Sequence, residues 1–198
     1  MPDTSGEGFP NNIEVGHEHM HLSTGKIYQY LGGSPASLSS WVLARGIRAV
    51  VQGYTNQTLT PANTNPYLIN YQYVSKMQNI SWDGAGKFTI QVPGVYHITH
   101  NGQLIATSLA VGQQRRCSIW FRKNGQDLSD SPVTNSISGN LNDMRIIRNY
   151  RIQEFDIGDT LETYMVVEDA TVGMSLSSIT LGGVTSQAAK ITMAWIAL

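Results

Sequence analysis

Short runs of alternating apolar and polar residues recur along the chain from Ile47 onward, separated by turn-forming residues. In one run, Phe88, Ile90 and Val92 alternate with polar residues. Because successive side chains of an extended strand point to opposite faces, this period of two predicts strands with one buried face. Similar runs continue to the end of the chain without a sustained helical period, and together they predict an all-β fold.

Turn signals indicate where several of these strands end. Pro93-Gly94 predicts a type II turn, because proline presets φ and glycine accepts a positive φ. Asn124-Gly125 predicts a hairpin after a strand in which Cys117, Ile119 and Phe121 share one face. Short strands with regular turn signals are typical of a β-sandwich.

The first 45 residues differ from the rest, which predicts an N-terminal segment at 1–45 and a main domain at 46–198. Residues 26–31 predict a strand that stops at the turn-forming residues 32–35, and residues 41–43 predict a second strand. So short a segment holds too little apolar sequence for its own core. We therefore expect it to dock on the main domain, on sister subunits or on a partner.

Composition and charge narrow the possible functions. Charged residues make up 14% of the 198 residues and the net charge is −1, so we expect no nucleic-acid or acidic-membrane partner. No apolar run approaches the ~20 residues of a membrane span, and the N-terminal residues do not resemble a signal peptide. The single cysteine permits no internal disulfide. These features predict a protein made in a reducing cytoplasm and stabilised by packing.

A set of motifs resembles the jelly-roll head of complement component 1q, in the tumour-necrosis-factor-like superfamily. Residues 82–98, WDGAGKFTIQVPGVYHI, match its acidic turn, Gly-x-Phe strand, Pro-Gly turn and Tyr-bearing strand. Residues 119–125, IWFRKNG, are similar to its strand ending in Arg-Asn-Gly, with a lysine added. Residues 155–161, FDIGDTL, resemble its Gly-Asp motif at the start of a late strand, and AWIAL resembles its buried last strand. The matching positions are Asp83, Gly86, Phe88, Pro93, Gly94, Tyr96, Gly158 and Asp159.

The resemblance implies a jelly-roll β-sandwich that forms a homotrimer, with the C-terminal strand in the sheet that faces the threefold axis. In that strand Ile191, Met193 and Trp195 share one face, and Ile196 and Leu198 share the other. Burial on both faces of an antiparallel strand indicates a partner beyond the domain's own core. A trimer supplies that partner.

The collagen-like Gly-x-y repeats that are common before such heads in animals are absent, which favours a protein assembled where it is made, as bacteriophage structural proteins are. Residues 25–33 and 41–43 resemble short N-terminal segments of phage fibre and decoration proteins, so Tyr28, Tyr30 and Trp41 are candidate anchor residues. We expect a non-enzymatic virion protein, a trimeric capsid decoration or head-fibre protein assembled in the host cytoplasm. Its partner would be the major capsid protein or another virion protein.

Two alternatives fit the same pattern. One is a receptor-binding module of a phage tail or fibre that recognises a host-surface glycan or protein through loops at residues 54–67 and 128–142. The other is a bacterial surface or spore-coat trimer.

The most pointed chemical feature is the sequence His17-Glu18-His19-Met20-His21. Alternation places the three imidazoles on one face of a strand, and imidazole is a ligand for Zn, Ni, Cu or Fe. A transition-metal site is therefore one interpretation. The alternative is a polar strand whose histidines hydrogen-bond with their neighbours.

Other reactive residues lack a catalytic pattern, so we expect no catalytic residues and no resident cofactor. His97 and His100 have no nucleophile or carboxylate at a defined spacing, and the alternation of Cys117 with apolar residues predicts that it is buried. Three aspartates are placed in loops with a spacing that fits no calcium loop: Asp127, Asp130 and Asp143.

Overall fold

The computed structural model describes residues 13–16, 18–21, 26–34, 41–43, 49–61, 63–107, 114–138, 140–169 and 173–197. Within these ranges the regular elements are β-strands and no helix occurs, so the all-β prediction is confirmed. The chain divides into two compact units, Met1–Arg48 and Ala49–Leu198.

The N-terminal unit contains a three-stranded antiparallel sheet in the order β1-β2-β3. Its strands are β1 (Glu18–His21), β2 (Lys26–Tyr30) and β3 (Trp41–Leu43). Cross-strand pairing aligns Tyr28 with His19 on one side and with Leu43 on the other. Gly32 and Gly33 follow β2 with positive φ angles and end the strand there, as the sequence predicts.

In its described residues, the second unit has fifteen strands, which form two large sheets and one hairpin. They are β4 (Val50–Thr55), β5 (Tyr67–Leu68), β6 (Tyr73–Gln78), β7 (Ile80–Trp82), β8 (Phe88–Ile90), β9 (Gly94–Ala106), β10 (Arg115–Lys123), β11 (Gln126–Asp127), β12 (Val133–Ile137), β13 (Met144–Phe155), β14 (Thr160–Val167), β15 (Met174–Leu176), β16 (Thr180–Leu181), β17 (Val184–Thr185) and β18 (Ala189–Ala197).

One large sheet has seven strands in the order β11-β10-β14-β8-β7, with β12 added beside β10 and β5 beside β14. The other has six strands in the order β13-β9-β18-β4-β6, with β15 beside β9. Strands β16 and β17 form the separate hairpin. All of these pairings are antiparallel, and the arrangement is consistent with a β-sandwich.

The chain crosses between the two large sheets several times. Strands β8, β10 and β14 lie in the seven-stranded sheet, whereas β9, β13 and β18 lie in the six-stranded sheet. These six strands therefore alternate between the two sheets along the chain. The last strand, β18, pairs with the first strand of the unit, β4.

Apolar side chains from both sheets form the core of this unit. Phe88, Ile90 and Val92 are buried, as their alternation predicts, and so are Cys117 and Phe121 of β10. Tyr96 of β9 is fully buried, and its ring meets the ring of Phe155 at right angles with 5.6 Å between centroids. An aromatic pair in this geometry adds to the free energy gained from the area it buries.

The two large sheets are also joined by a buried amide. Asn149 of β13 is 2% exposed, and its Nδ2 donates to the Ile119 carbonyl oxygen at 3.2 Å and the Ser131 carbonyl oxygen at 2.7 Å. The Ser131 hydroxyl in turn donates to the Leu128 carbonyl oxygen at 2.7 Å. These bonds give buried carbonyl groups the donors they need inside the protein.

Candidate functional site

The predicted anchor residues form an aromatic cluster on one face of the N-terminal sheet. The ring of Trp41 lies 5.3 Å from the ring of Tyr30 and 5.8 Å from that of His19, measured between centroids. All three side chains are buried, and the Tyr30 hydroxyl donates to the Gly33 carbonyl oxygen at 2.5 Å. Tyr28 is half-buried on the same face, because it pairs with His19. This cluster gives the short unit an apolar centre.

The histidine pattern is described only in part. His19 and His21 lie two positions apart in β1, which places them on one face, but His17 and the His21 side chain are outside the described residues. Among the residues that the structure does describe, no group of three His, Cys, Asp or Glu side chains is arranged to hold a metal ion. Metal binding by the three histidines stays a prediction.

The first family-like motif forms a tight turn between β7 and β8. The Oδ1 atom of Asp83 accepts backbone N–H groups from Ala85, Gly86 and Lys87 at 2.8, 2.9 and 3.1 Å. Burial alone would raise the pKa of the Asp83 carboxyl, but these three donors bring it below its usual value. The motif residue therefore holds the loop in shape.

The backbone conformation and surroundings of Gly86 require glycine at this position. Its φ is +144°, and a Cβ atom there would lie 2.7 Å from the Ile69 carbonyl oxygen. A backbone atom cannot move aside as the end of a side chain can, so this position excludes every residue with a Cβ. The motif marks a close approach between two backbone segments.

The remaining family-like residues also lie in turns and in the core. The chain bends at Gln91 and Val92 before Pro93, and Gly94 begins β9. The Tyr96 hydroxyl donates to the Val92 carbonyl oxygen at 2.6 Å. Gly158 and Asp159 form the turn between β13 and β14. These residues lie where one strand connects to the next, so they contribute to the fold.

Asp159 joins that turn to the β10–β11 hairpin. Its carboxylate accepts hydrogen bonds from Asn124 Nδ2 at 2.5 Å and the Asp156 backbone N–H at 2.8 Å, and it pairs with Lys123 Nζ at 2.7 Å. Burial would raise the pKa of Asp159, but these partners lower it below the usual value. The carboxylate is thus committed to a structural contact.

The predicted trimer strand, β18, has one buried face. Ile191 and Met193 are fully buried, and Trp195 is half-buried with its indole N–H donating to the Pro93 carbonyl oxygen at 3.2 Å. Ile196, on the other face, is 49% exposed, and Leu198 lies outside the described residues. The outward face of the strand remains available to a partner.

Of the residues considered for catalysis, Cys117 and His100 lie in the core and His97 does not. Cys117 is buried, and burial raises the pKa of its thiol to about 12, so the sulfur is protonated and a poor nucleophile. His100 is buried in β9, whereas His97 is exposed on the other face of the same strand. These three side chains do not form a catalytic arrangement.

Asp127 lies in strand β11 and not in a loop, and the three aspartates each contact protein groups in different places. Asp127 accepts from Trp120 Nε1 and Arg122 Nε, both at 2.7 Å. Asp130 pairs with Arg151, and Asp143 accepts from the Ser138 hydroxyl at 2.5 Å. Their separate partners do not bring them together as a calcium site.

A row of exposed apolar side chains lies on the outward face of the six-stranded sheet. Tyr150 and Ile152 of β13 are 78% and 62% exposed, and Met144 and Ile146 lie farther along the same face, beyond the exposed Arg148. This row was not predicted from the sequence. The alternation within residues 144–152 indicates a strand. Polar and apolar residues occur on both of its faces, so the sequence does not reveal which face is buried.

The same face continues across the sheet as a row of uncharged side chains that ends at the exposed Lys76 of β6. From Tyr150, successive partners are Thr99 of β9, Thr192 of β18 and Gln52 of β4. These three are half-buried within the sheet and carry no charge. The surface therefore combines an apolar edge on β13 with an uncharged centre on β9, β18 and β4. This apolar edge and uncharged centre together are called the assembly face below.

Comparisons with known proteins add no assignment, since the chain matches no family model and no curated protein. In the described part of the chain, no helix is long and apolar enough to cross a membrane.

Proposed function

We propose that this chain is a trimeric structural protein of a bacteriophage virion, a capsid decoration or head-fibre protein. In this proposal the second unit is a displayed jelly-roll head, and residues 1–45 attach it to the major capsid protein or another virion protein. The assembly face is the observation that carries the proposal. Exposed apolar patches rimmed by polar residues mark sites where a protein contacts a partner.

The partner we propose is a second and third copy of the chain. The apolar edge at Tyr150 and Ile152 and the uncharged centre at Thr99 and Thr192 lie on one sheet, so the edge of one copy can pack on the centre of the next. Such head-to-tail packing closes into a ring when the rotation permits it. Burying one large apolar side chain contributes about 1.5–3 kcal/mol, and three copies bury three such rows.

The strand order supports the jelly-roll part of the proposal. A jelly roll is a double-sheet fold whose chain passes repeatedly between the sheets, and β8, β9, β10, β13, β14 and β18 alternate between layers in this way. The pairing of β18 with β4 places the first and last described strands of this unit side by side within the six-stranded sheet. The same sheet carries the assembly face.

The N-terminal unit supports the attachment part. Its three strands bury Tyr30 and Trp41 in one cluster, and its sequence resembles the attachment segments of phage fibre and decoration proteins. Three such units on one trimer would bind a symmetric shell far more tightly than a single unit, because the later contacts become intramolecular.

Virion binding by a truncated chain tests this proposal. We expect the full chain to bind saturably to virions that lack the protein, and a chain without residues 1–45 to lose that binding. Far-ultraviolet circular dichroism and solution mass measured on the truncated chain confirm that the head stays folded and keeps its assembly state. Equal binding by the truncated chain, or no virion binding by the full chain, would refute the attachment role.

A further inference from the structure

An open cleft of about 480 Å³ lies on the outward face of the seven-stranded sheet. Arg116 and Ser118 of β10 reach it because their neighbours Cys117 and Ile119 point into the core. Thr134 of β12 and Val166 of β14 flank Ser118 in one row across the sheet. Clefts of about 300–1,000 Å³ are the usual size for small-molecule sites.

Two chain segments outside the central strands complete the cleft. Glu168 follows β14, and Thr64 comes from the loop between β4 and β5. The segments 54–67 and 128–142, which the sequence marks as candidate recognition loops, thus contribute one threonine each. We infer that this cleft binds a neutral, hydroxyl-rich saccharide.

The charged groups of the cleft balance each other. Arg116 Nη1 lies 3.6 Å from Glu168 Oε1, and both side chains are more than half exposed. The Glu168 backbone N–H donates to the Arg116 carbonyl oxygen at 2.9 Å, which holds the two residues side by side. The guanidinium supplies donors and the carboxylate supplies acceptors, while their charges cancel. A ligand with hydroxyl groups can use both, whereas an anion would meet the carboxylate.

Hydroxyl groups add directional partners. The Ser118 and Thr134 hydroxyls are hydrogen-bonded to each other at 2.6 Å, and each oxygen keeps further capacity to donate or accept. Thr134 is exposed, so a ligand can reach this pair. Sugar hydroxyls both donate and accept, and they match such a pair better than groups that only accept.

An apolar strip extends from the cleft along the same face. Val166 lies between the polar groups, and Tyr164 lies two residues before it, about 7 Å along the strand. The Tyr164 ring stacks on Trp120 with 5.9 Å between centroids, and Arg122 lies 4.0 Å above the Tyr164 centroid. The C–H groups of a sugar chain would pack on Val166 while its hydroxyls meet the cleft, since Trp120 and Arg122 already pack on the Tyr164 ring.

The arrangement fits binding and not hydrolysis. Glycoside hydrolysis uses a pair of carboxyl groups on either side of the scissile bond. Among the described residues that line the cleft, Glu168 supplies the one carboxylate, and Arg116 pairs with it. The cleft also lies on the other large sheet from the assembly face, so saccharide binding and self-assembly can be tested separately.

Saccharide binding by the full chain tests the inference. The probes are di- to tetrasaccharides of glucose, galactose, mannose and N-acetylglucosamine, with sialylated and sulfated oligosaccharides as the anionic set. We expect at least one neutral probe to bind with a Kd between about 1 μM and 1 mM by titration calorimetry. Arg116→Ala and Ser118→Ala should each weaken that binding about tenfold, because each removes hydrogen-bonding groups.

Arg145→Ala is the matched control, since Arg145 is an exposed arginine on the other large sheet. It should leave the Kd unchanged, and all three variants should keep the thermal midpoint and solution mass of the parent chain. Three outcomes would overturn the inference. They are no neutral probe bound up to about 10 mM, a preference for the anionic set, or equal Kd values in the parent, Arg116→Ala and Ser118→Ala chains.

Discussion

His100 is a polar side chain enclosed in the core of the second unit. It is fully buried, its ring centroid lies 6.3 Å from that of Tyr71, and neither ring nitrogen has a hydrogen-bond partner within the described part of the chain. Burial lowers the pKa of the imidazole to about 3, because the charged form would lose its hydration. The ring is therefore neutral at physiological pH.

This burial predicts a pH-dependent stability. The unfolded chain binds a proton at His100 below about pH 6.5, whereas the folded chain does not until about pH 3. The stabilisation is thus complete above pH 6.5 and declines as the pH falls toward 3, by up to about 1.4 kcal/mol per pH unit. We expect urea denaturation at pH 7.5, 6 and 5 to show this decline in the parent chain and a smaller one in His100→Leu.

Ile98, which is fully buried two residues before His100 on the same strand, supplies the control. Ile98→Val should lower the free energy of unfolding by a similar amount at every pH, because neither side chain titrates. Parallel stability profiles for the parent chain and His100→Leu would contradict the assignment to His100.

Sequence predicts some single residues better than others. Gly86 and Cys117 could be placed because a motif or an alternation accounts for them, and the structure gives each a steric or packing reason. The burial of His100 could not be predicted, since a histidine at an alternating position fits a polar face equally well. Trp120 has an outward position but is 8% exposed, because Tyr164 and Asp127 from neighbouring strands contact it.

At the scale of elements, β13 joins the two large sheets through Asn149. The Asn149 amide donates hydrogen bonds to the carbonyl oxygen of Ile119 in β10 and to that of Ser131, which lies between β11 and β12. Strand β13, at the end of the six-stranded sheet, is thus also hydrogen-bonded to the seven-stranded sheet.

Removing this amide should weaken the contact between the sheets. Asn149→Leu leaves two buried carbonyl oxygens without their side-chain donor, and we expect it to lower the free energy of unfolding by about 2–4 kcal/mol. Asn140→Leu, at an exposed position in a turn, should change it by less than about 0.5 kcal/mol. Urea denaturation measures both variants, and equal small effects would show that the amide is dispensable.

Elements with local signals were predictable, and elements defined by pairing were not. Asn124-Gly125 forms the predicted turn, with positive φ at both residues. At Pro93-Gly94 the prediction was wrong in position, because the bend lies at the two preceding residues and Gly94 begins β9. The strand expected at 95–99 extends through β9 to Ala106, because β13 and β18 both pair along it. The segment 128–142 contains strand β12, which pairs with β10. Its polar sequence does not reveal this pairing.

At the scale of the whole molecule, the chain consists of two units with separate proposed roles. The first has an aromatic cluster and is the proposed attachment unit. The second presents the assembly face on one large sheet and the saccharide cleft on the other. Sequence patterns alone predict the all-β class, while the trimer and the virion setting rest on resemblance together with the assembly face.

The central claim is that three copies of the chain assemble through the assembly face. Ile152 on this face and Ile157 in the β13–β14 turn are matched probes, because they are 62% and 63% exposed. Ile152→Lys would place a charge in the proposed contact, whereas Ile157→Lys would not. Neither side chain belongs to the core, so both variants should fold.

The most direct measurement is the solution mass by light scattering or native mass spectrometry. One chain has a mass of 21.7 kDa. We expect the parent chain and Ile157→Lys to give about 65 kDa, the mass of three copies, and Ile152→Lys to shift toward the single-chain mass. A parent chain that stays at the single-chain mass at about 100 μM, or an Ile152→Lys variant that assembles as fully as Ile157→Lys, would contradict the account.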